Sequence, residues 1–314
     1  MRRSPLPVDL GPVFSSREAR DAGVGAWRLG SPDLEAPFHG VRRRLDAREA
    51  EAWDLAATLI RDAFAYARRM TEHEFFCGMT AAVLWGLPLP AWALREASVD
   101  VAVFSPHRAS RGRGVAGREV DRRLATVTTA PVAALPVTCP ATTWAMLARV
   151  LRHPYDLVAV GDAIVRSPMV DTDPPPLATP EDLAAVVAAG RRVGVNALRG
   201  ALPRIRDRSA SRPETWMRLT VVDAGIPEPL LNHDVFDDDG VWLARVDGAY
   251  PRERVALEYE GEHHLLDPAQ WAKDLRRYER LAAAGWHVIR VSKGVLFRDP
   301  ADLTVRLRRA LAAR

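Results

Sequence analysis

Arg245-Val246-Asp247-Gly248-Ala249-Tyr250-Pro251-Arg252-Glu253-Arg254-Val255-Ala256-Leu257-Glu258-Tyr259-Glu260 is the stretch on which the fold turns. Two runs of strand-forming residues flank a turn built on Pro251 and three charged side chains, which predicts a β-hairpin. With Arg252 and Glu253 at the centre of the turn, Asp247 stands opposite Glu258 and Arg245 opposite Glu260, all on one side of the sheet. Carboxylates set face to face repel, and acids are depleted in strands, so this pair needs a physical reason. A divalent cation is one: Asp, Glu and a main-chain carbonyl are the hard oxygen ligands that Mg²⁺ and Mn²⁺ accept. The alternative is a wet, frayed strand end with Arg245 or Arg254 as counter-ion.

Working outward, Ser211-Arg212-Pro213-Glu214 opens an amphipathic helix with Trp216, Met217, Leu219 and Val222 at core spacing, closed by Gly225. Strands are predicted over 231–236, 241–249 and 255–259, with Asp238-Asp239-Gly240 turning between the first two. A helix over about 268–284 stops at Gly285, the apolar run 286–291 reads as a strand, and a last helix begins near Asp299-Pro300. The order is αβββαβα. Glu214 has two readings: the N3 member of a capping box with Ser211, or an acid aimed at the cation.

Phe14, Ser15 and Glu18 form a helix-start signature of staple, N-cap and N3 acid. A short helix ending at Gly23, a second at 25–29 ahead of Gly30, and the basic strand Phe38-His39-Gly40-Val41-Arg42-Arg43-Arg44 give the order of a winged helix. The second helix offers one basic side chain, Arg28. A long helix over 49–70, a helix at 80–85, a strand at 99–104, short strands over 126–137 and helices at 141–151 and 155–166 follow. Pro174-Pro175-Pro176 marks a linker, and Thr179-Pro180 with Asp182 opens another helix.

Of 44 basic residues only Lys273 and Lys293 are lysine, and the net charge is +4. Arginine forks phosphate, although one-sided usage also follows from genome base composition. Placement is more telling. Between 191 and 212, Arg191, Arg192, Arg199, Arg204, Arg206, Arg208 and Arg212 face one acid, Asp207. That run suits a phosphate footprint or a solvated helix face.

Several patterns lead nowhere. Gly112-Arg113-Gly114-Val115-Ala116-Gly117 matches a dinucleotide fingerprint, but a polar loop precedes it where a strand is required, so an Arg/Gly loop is expected. His73 and Cys77 have no second ligand pair, and Asp237-Asp238-Asp239-Gly240 lacks the twelfth-position Glu of a calcium loop. No Gly-x-Ser-x-Gly elbow or Gly-Lys-Ser/Thr phosphate loop occurs, so no nucleotide cofactor is expected. Two cysteines, Cys77 and Cys139, make no disulfide framework and read as reduced thiols. The most apolar stretch, 80–94, is broken by Gly86, Pro88 and Pro90, and Met1-Arg2-Arg3-Ser4-Pro5 leads into no apolar segment. A cytoplasmic protein without a membrane partner is the expectation.

Taken together, Arg245-Val246-Asp247, 255–264, Asp274-Leu275-Arg276-Arg277 and 284–291 closely resemble the endonuclease-like domain related to the very-short-patch repair endonuclease, of the PD-(D/E)XK fold. The resemblance covers 209–314. It implies a restriction-endonuclease-like αβββαβ core, Asp247 and Glu258 as metal ligands, Glu260 in the slot usually held by lysine, Glu214 as the helix acid and His264 as the histidine after the acid-Gly motif. Relatives of the short-patch enzyme often lack that lysine and use histidine for acid/base work; Lys273 is a candidate substitute. More loosely, 14–23, 38–43 and 80–90 resemble proteins that join this domain to an AbiEi-type antitoxin winged helix.

The expected organisation is therefore an α+β or α/β multidomain chain. It comprises a winged-helix-like module at 1–46, a mixed α/β region at 47–172, a helical linker with the basic patch at 173–208, and a nuclease-like domain at 209–314. The expected function is Mg²⁺- or Mn²⁺-dependent hydrolysis of DNA, in repair or defence. Arg204, Arg206, Arg208, Arg212, Lys273 and Arg277 are expected to contact the nucleic acid. The alternative is a non-catalytic DNA-binding regulator of antitoxin type.

Overall fold

A computed structural model describes residues 5–45, 54–261 and 268–313. The chain is a mixed α/β protein of two compact units, Met1–Arg152 with Ala178–Gly200 and His153–Leu177 with Ala201–Arg314. No described helix is long and apolar enough to cross a membrane.

The first unit opens with strand β1 (Val13–Ser15), helices α1 (Ser16–Asp21) and α2 (Ala26–Leu29), and strands β2 (Leu34–Glu35) and β3 (Val41–Arg44), the strands forming an antiparallel sheet in the order β1-β3-β2. The capping box is closed: the Glu18 N–H donates to Ser15 Oγ at 3.1 Å and the Ser15 N–H to Glu18 Oε2 at 2.6 Å. Phe14 is buried beneath it. α2 is a single turn, and Arg28 is only 8% exposed, forked onto Asp33 at 3.0 and 2.7 Å. An arginine held inward on so short a helix gives no basic recognition face.

Next come α3 (Leu55–Ala67), β4 (Glu74–Phe76), α4 (Gly78–Leu84), α5 (Ala91–Arg95), β5 (Val99–Phe104), β6 (Val115–Val120), β7 (Val127–Thr129), β8 (Pro136–Thr138) and α6 (Pro140–Leu147). After α7 (Pro154–Val165), which belongs to the second unit, come α8 (Pro180–Ala188) and α9 (Val195–Ala201). The five strands pair in the order β6-β5-β4-β8-β7. Buried Asp100 on β5 accepts from the Met79 N–H at 2.9 Å and from Arg118 at 2.8 Å, tying the strand to the start of α4.

The glycine pattern at 112–117 serves packing. A Cβ on Gly117 would lie 2.0 Å from the Ser110 carbonyl oxygen, and Gly117 sits in a strand, with no helix following the glycines to receive a phosphate. His73 and Cys77 are separated by β4, so they share no helix face; burial pushes the Cys77 thiol far up.

In the second unit α7 is followed by α10 (Arg212–Asp223), β9 (Leu230–Phe236), β10 (Trp242–Tyr250), β11 (Val255–Glu260), α11 (Pro268–Ala283), β12 (His287–Ser292), α12 (Lys293–Arg298) and α13 (Pro300–Ala312). From α10 to α13 the chain follows the expected order, with short α12 added. The sheet runs β12-β11-β10-β9, its two hairpin pairs antiparallel and β11–β12 parallel. Alternation sorts the core: Val255, Leu257, Ile289 and Val291 pack with Met217, Val221, Leu303 and Leu307 of α10 and α13, while Ala256 packs with Ala244, Val246 and Leu281 of α11. Helices therefore cover both faces. Asp237 Oδ1 accepts from the Asp239 and Val241 N–H groups at 3.0 and 2.8 Å, so the acidic triplet is a hairpin turn.

α7, expected with the middle region, packs on α10 instead, because its two inward acids find their partners there. Asp156 Oδ1 accepts from Arg212 Nε and Trp216 Nε1, each at 2.7 Å. Asp162, 1% exposed, accepts from Arg218 at 2.9 Å, the Thr215 hydroxyl at 2.8 Å and the Arg206 N–H at 2.7 Å. Arg218, 2% exposed, also reaches Glu228 at 3.1 Å. Removing one member of such a pair strands the other without water. Arg218→Met is expected to lower unfolding free energy by about 3 kcal/mol in urea titrations, and Asp162→Asn in the same chain to restore part of it. An Arg218→Met protein as stable as wild type would show that the pair does not hold α7.

Candidate active site

The β10–β11 hairpin has the register expected from sequence: Tyr250 pairs with Val255, Ala249 with Ala256 and Gly248 with Leu257. The next step would set Asp247 against Glu258, and there the main-chain ladder ends. Asp247 Oδ2 instead accepts the Tyr259 N–H at 2.7 Å, so a side chain takes the place of a strand carbonyl. On the other side, β9 and β10 keep one register above and below the Asn232–Asp247 level. Asn232 itself has φ +43°, the left-handed region that Asn tolerates better than most residues.

Asn232 ties the neighbouring helix to this spot. Its amide donates to Glu214 Oε2 at 2.7 Å and to the Arg208 carbonyl at 2.8 Å. Glu214 also accepts from the Ala210 N–H and the Ser211 hydroxyl, both at 2.8 Å, while its own N–H donates to Ser211 Oγ at 3.3 Å. Only half of the expected capping box forms: Ser211 caps the helix, but the Glu214 carboxylate is drawn to Ala210 and Asn232. With three donors fixed, it acts on the site chiefly through its charge.

That charge is felt at Asp247. Burial, reinforced by Glu214 and then Glu258, pushes its carboxyl up to about 7, despite the Tyr259 hydrogen bond and the field of Arg277. Glu258 is only 4% exposed and is partnered from α11: Arg277 makes an ion pair with its Oε2, and the Tyr278 hydroxyl donates to the same oxygen at 2.9 Å. Burial and Glu258 push the Tyr278 hydroxyl up to about 12, so it remains a proton donor. The wet strand end with Arg245 or Arg254 as counter-ion is not what forms.

Two expected placements are corrected. Arg245 does not meet Glu260; it lies opposite Asp234 in the β9–β10 register and binds it at 3.1 and 2.9 Å. Glu260 is claimed by Arg290 of the adjacent parallel strand β12. Several arginines of the basic run meet acids or carbonyls, while Arg191, Arg199 and Arg208 are exposed. Arg204 pairs with Asp223 at 2.6 Å, Arg206 with Glu228 at 2.9 Å and Arg212 with Asp156 at 2.7 Å. Arg208 donates to the Leu231 and Asn232 carbonyls at 3.3 and 3.0 Å, covering part of the edge strand β9. These four arginines are engaged before any phosphate arrives. His264 lies outside the described residues, and Lys273 falls on α11 without a described side chain.

Sequence reasoning missed Asn232 and Tyr278. A lone Asn inside a strand is a detectable anomaly. Tyr278 gives no such signal, since an aromatic on an amphipathic helix reads as core.

Two proteins of Mycobacterium tuberculosis described as uncharacterized, MT2308 of strain CDC 1551 / Oshkosh and Rv2248 of strain ATCC 25618 / H37Rv, are each 31% identical to this chain over 243 residues, 77% of it and 83% of the relative. The chain belongs to their family. No family model and no solved structure matches it. Among the described residues, no three or more His, Cys, Asp and Glu side chains form a ready-made metal cage. The donor set is narrower: two hard carboxylates, Asp247 and Glu258, with a third, Glu214, supplying field.

A carboxyl raised on folding binds its proton more tightly in the folded than in the unfolded state. Its ionisation therefore removes stability as pH rises from the unfolded value of about 4 to the folded value of about 7. In EDTA, Asp247→Asn is expected to unfold with wild type at pH 4 and to be about 1–3 kcal/mol more stable at pH 8. Thermal melts at the two pH values check this; equal stability at pH 8 would rule out a charge penalty at Asp247.

Proposed function

We propose that this protein is a Mg²⁺- or Mn²⁺-dependent DNA endonuclease of the PD-(D/E)XK kind, hydrolysing phosphodiester bonds in repair or defence. One observation carries the reading: among the described residues, Asp247 is held within the fields of Glu214 and Glu258, two like charges that raise its carboxyl, with the Arg277 guanidinium acting against them. A divalent cation at Asp247 and Glu258 would neutralise that excess and polarise a phosphoryl oxygen. The fit rests on hard oxygen donors and like-charge repulsion, both supplied by the chain's own side chains.

The chain's own groups have defined parts. The Tyr259 N–H orients Asp247, Tyr278 orients Glu258, and Asn232 with Ser211 fixes Glu214. With its carboxyl near 7, Asp247 gives up a proton when it takes a ligand, so cation affinity should rise with pH through neutrality. DNA would be gripped from α11, where Arg276 and Arg280 are exposed beside Arg277. Such contacts are sequence-independent and weaken steeply with salt.

The test is nicking of supercoiled plasmid and mismatched duplex with Mg²⁺ or Mn²⁺. Wild type is expected to nick and Asp247→Ala and Glu258→Ala to lose at least about a hundredfold in rate, in line with loss of a group acting in the transition state. Equal nicking by wild type and Asp247→Ala, or none by either, sinks the catalytic reading.

A second reading is favoured by the ion pairs. Glu258 is already partnered by Arg277 and Glu260 by Arg290, as in a nuclease fold retained for DNA binding alone. Such a regulator retards DNA in EDTA, does so equally as Asp247→Ala and Glu258→Ala, and never cleaves. Gel shifts without metal distinguish it from the enzyme.

A further inference from the structure

Arg277 meets at Glu258 the need that a divalent cation would meet. A carboxylate 4% exposed cannot stay ionised without a counter-charge, and the guanidinium supplies one. The same nitrogen donates to the Tyr278 hydroxyl at 3.2 Å, and the guanidinium lies 5.0 Å from the Tyr278 ring centroid. Tyr278 and Arg277 thus converge on one oxygen, Glu258 Oε2.

The partners differ in freedom. The Glu258 side chain is 5% exposed, whereas that of Arg277 is 29% exposed and has solvent to move into. Tyr278 is a second donor to the same Glu258 oxygen, independent of the arginine's own bond to it. A divalent ion on Glu258 would stand within a few ångströms of the guanidinium and repel it. What attracts a displaced guanidinium is an anion that matches its two-pronged donors, and the phosphodiester of DNA is such an anion.

We infer that Arg277 is a placeholder for the cation, holding Glu258 while the site is unloaded and passing to a backbone phosphate of DNA when Asp247 and Glu258 take a divalent ion. The inference rests on the cation-dependent reading above. It makes cation and DNA binding mutually supportive, because each removes a competitor of the other.

The experiment titrates the full-length protein with Mn²⁺, following the free-ion EPR signal, for wild type, Arg277→Met and Arg277→Lys. It also measures anisotropy of a labelled duplex in EDTA and in Ca²⁺. Arg277→Met is expected to bind Mn²⁺ on the order of tenfold more tightly than wild type, since a charge-assisted hydrogen bond no longer has to break first. Arg277→Lys, with its charge retained, should lie between the two. Wild type should hold duplex more tightly in Ca²⁺ than in EDTA, and Arg277→Met should lose that gain.

If wild type binds Mn²⁺ and Arg277→Met binds it no better, Arg277 is a structural clamp and this inference fails alone. If neither binds Mn²⁺, the cation reading fails and takes the inference with it. Should Arg277→Met be unstable without metal, its Mn²⁺-induced rise in Tm replaces the titration. A larger rise than in wild type supports the placeholder, and an equal or smaller one overturns it.

Discussion

Arg218 and Asp162 meet where neither can reach water, and the helix that carries Glu214 is docked through that meeting. Moving either ion out of solvent costs several kcal/mol, which their attraction offsets only if the remaining donors and acceptors are also filled. They largely are: Asp162 takes a hydroxyl and a main-chain N–H besides the guanidinium, and Arg218 has Glu228 as a second acid. The pair is directional as well as strong. Leucines in its place would let α10 rotate or slide on α7, whereas a planar guanidinium between two acids admits a narrow range of poses.

The same device recurs through the chain. Arg28 with Asp33, Arg43 with Glu35 and Asp62, Arg118 with Asp100, and Arg212 with Asp156 each turn a guanidinium inward onto carboxylate. Part of the arginine-rich composition thus serves to pack elements against one another. Arg204, Arg206 and Arg212 appear unopposed only because their acids, Asp223, Glu228 and Asp156, lie elsewhere in the chain.

Legibility followed the range of the interaction involved. The αβββαβ order, the two caps at Ser15 and Thr179, and the register of the β10–β11 hairpin depend on neighbours a few residues apart, and all could be read from the residues. The pairing of Glu260 with Arg290 spans a helix and a parallel crossover, and the docking of α7 on α10 spans the whole α8–α9 region. No local pattern encodes either. Asp247 and Glu258 stood out because strands rarely carry acids, and Asn232 is an anomaly of the same kind, but Tyr278, which holds Glu258, reads as an ordinary core aromatic.

The place where local rules stop working is also where the acids gather. In a continued antiparallel ladder, Asp247 and Glu258 would stand side by side with Cβ atoms about 5 Å apart, each carrying a full charge. The chain instead ends the paired ladder at Gly248, gives the Tyr259 N–H to the Asp247 carboxylate, and turns Asn232 of β9 to a positive φ on the other flank. Regular pairing is surrendered on both sides of one residue. Elsewhere in this unit, carboxylates such as Asp156, Asp162 and Asp234 are matched by guanidinium groups at hydrogen-bonding distance; at Asp247 a like charge comes from α10 and another from β11. Among the described residues, Asp247 is thus set between two like charges, offset by the Tyr259 N–H and the field of Arg277 where the other acids have a guanidinium in direct contact.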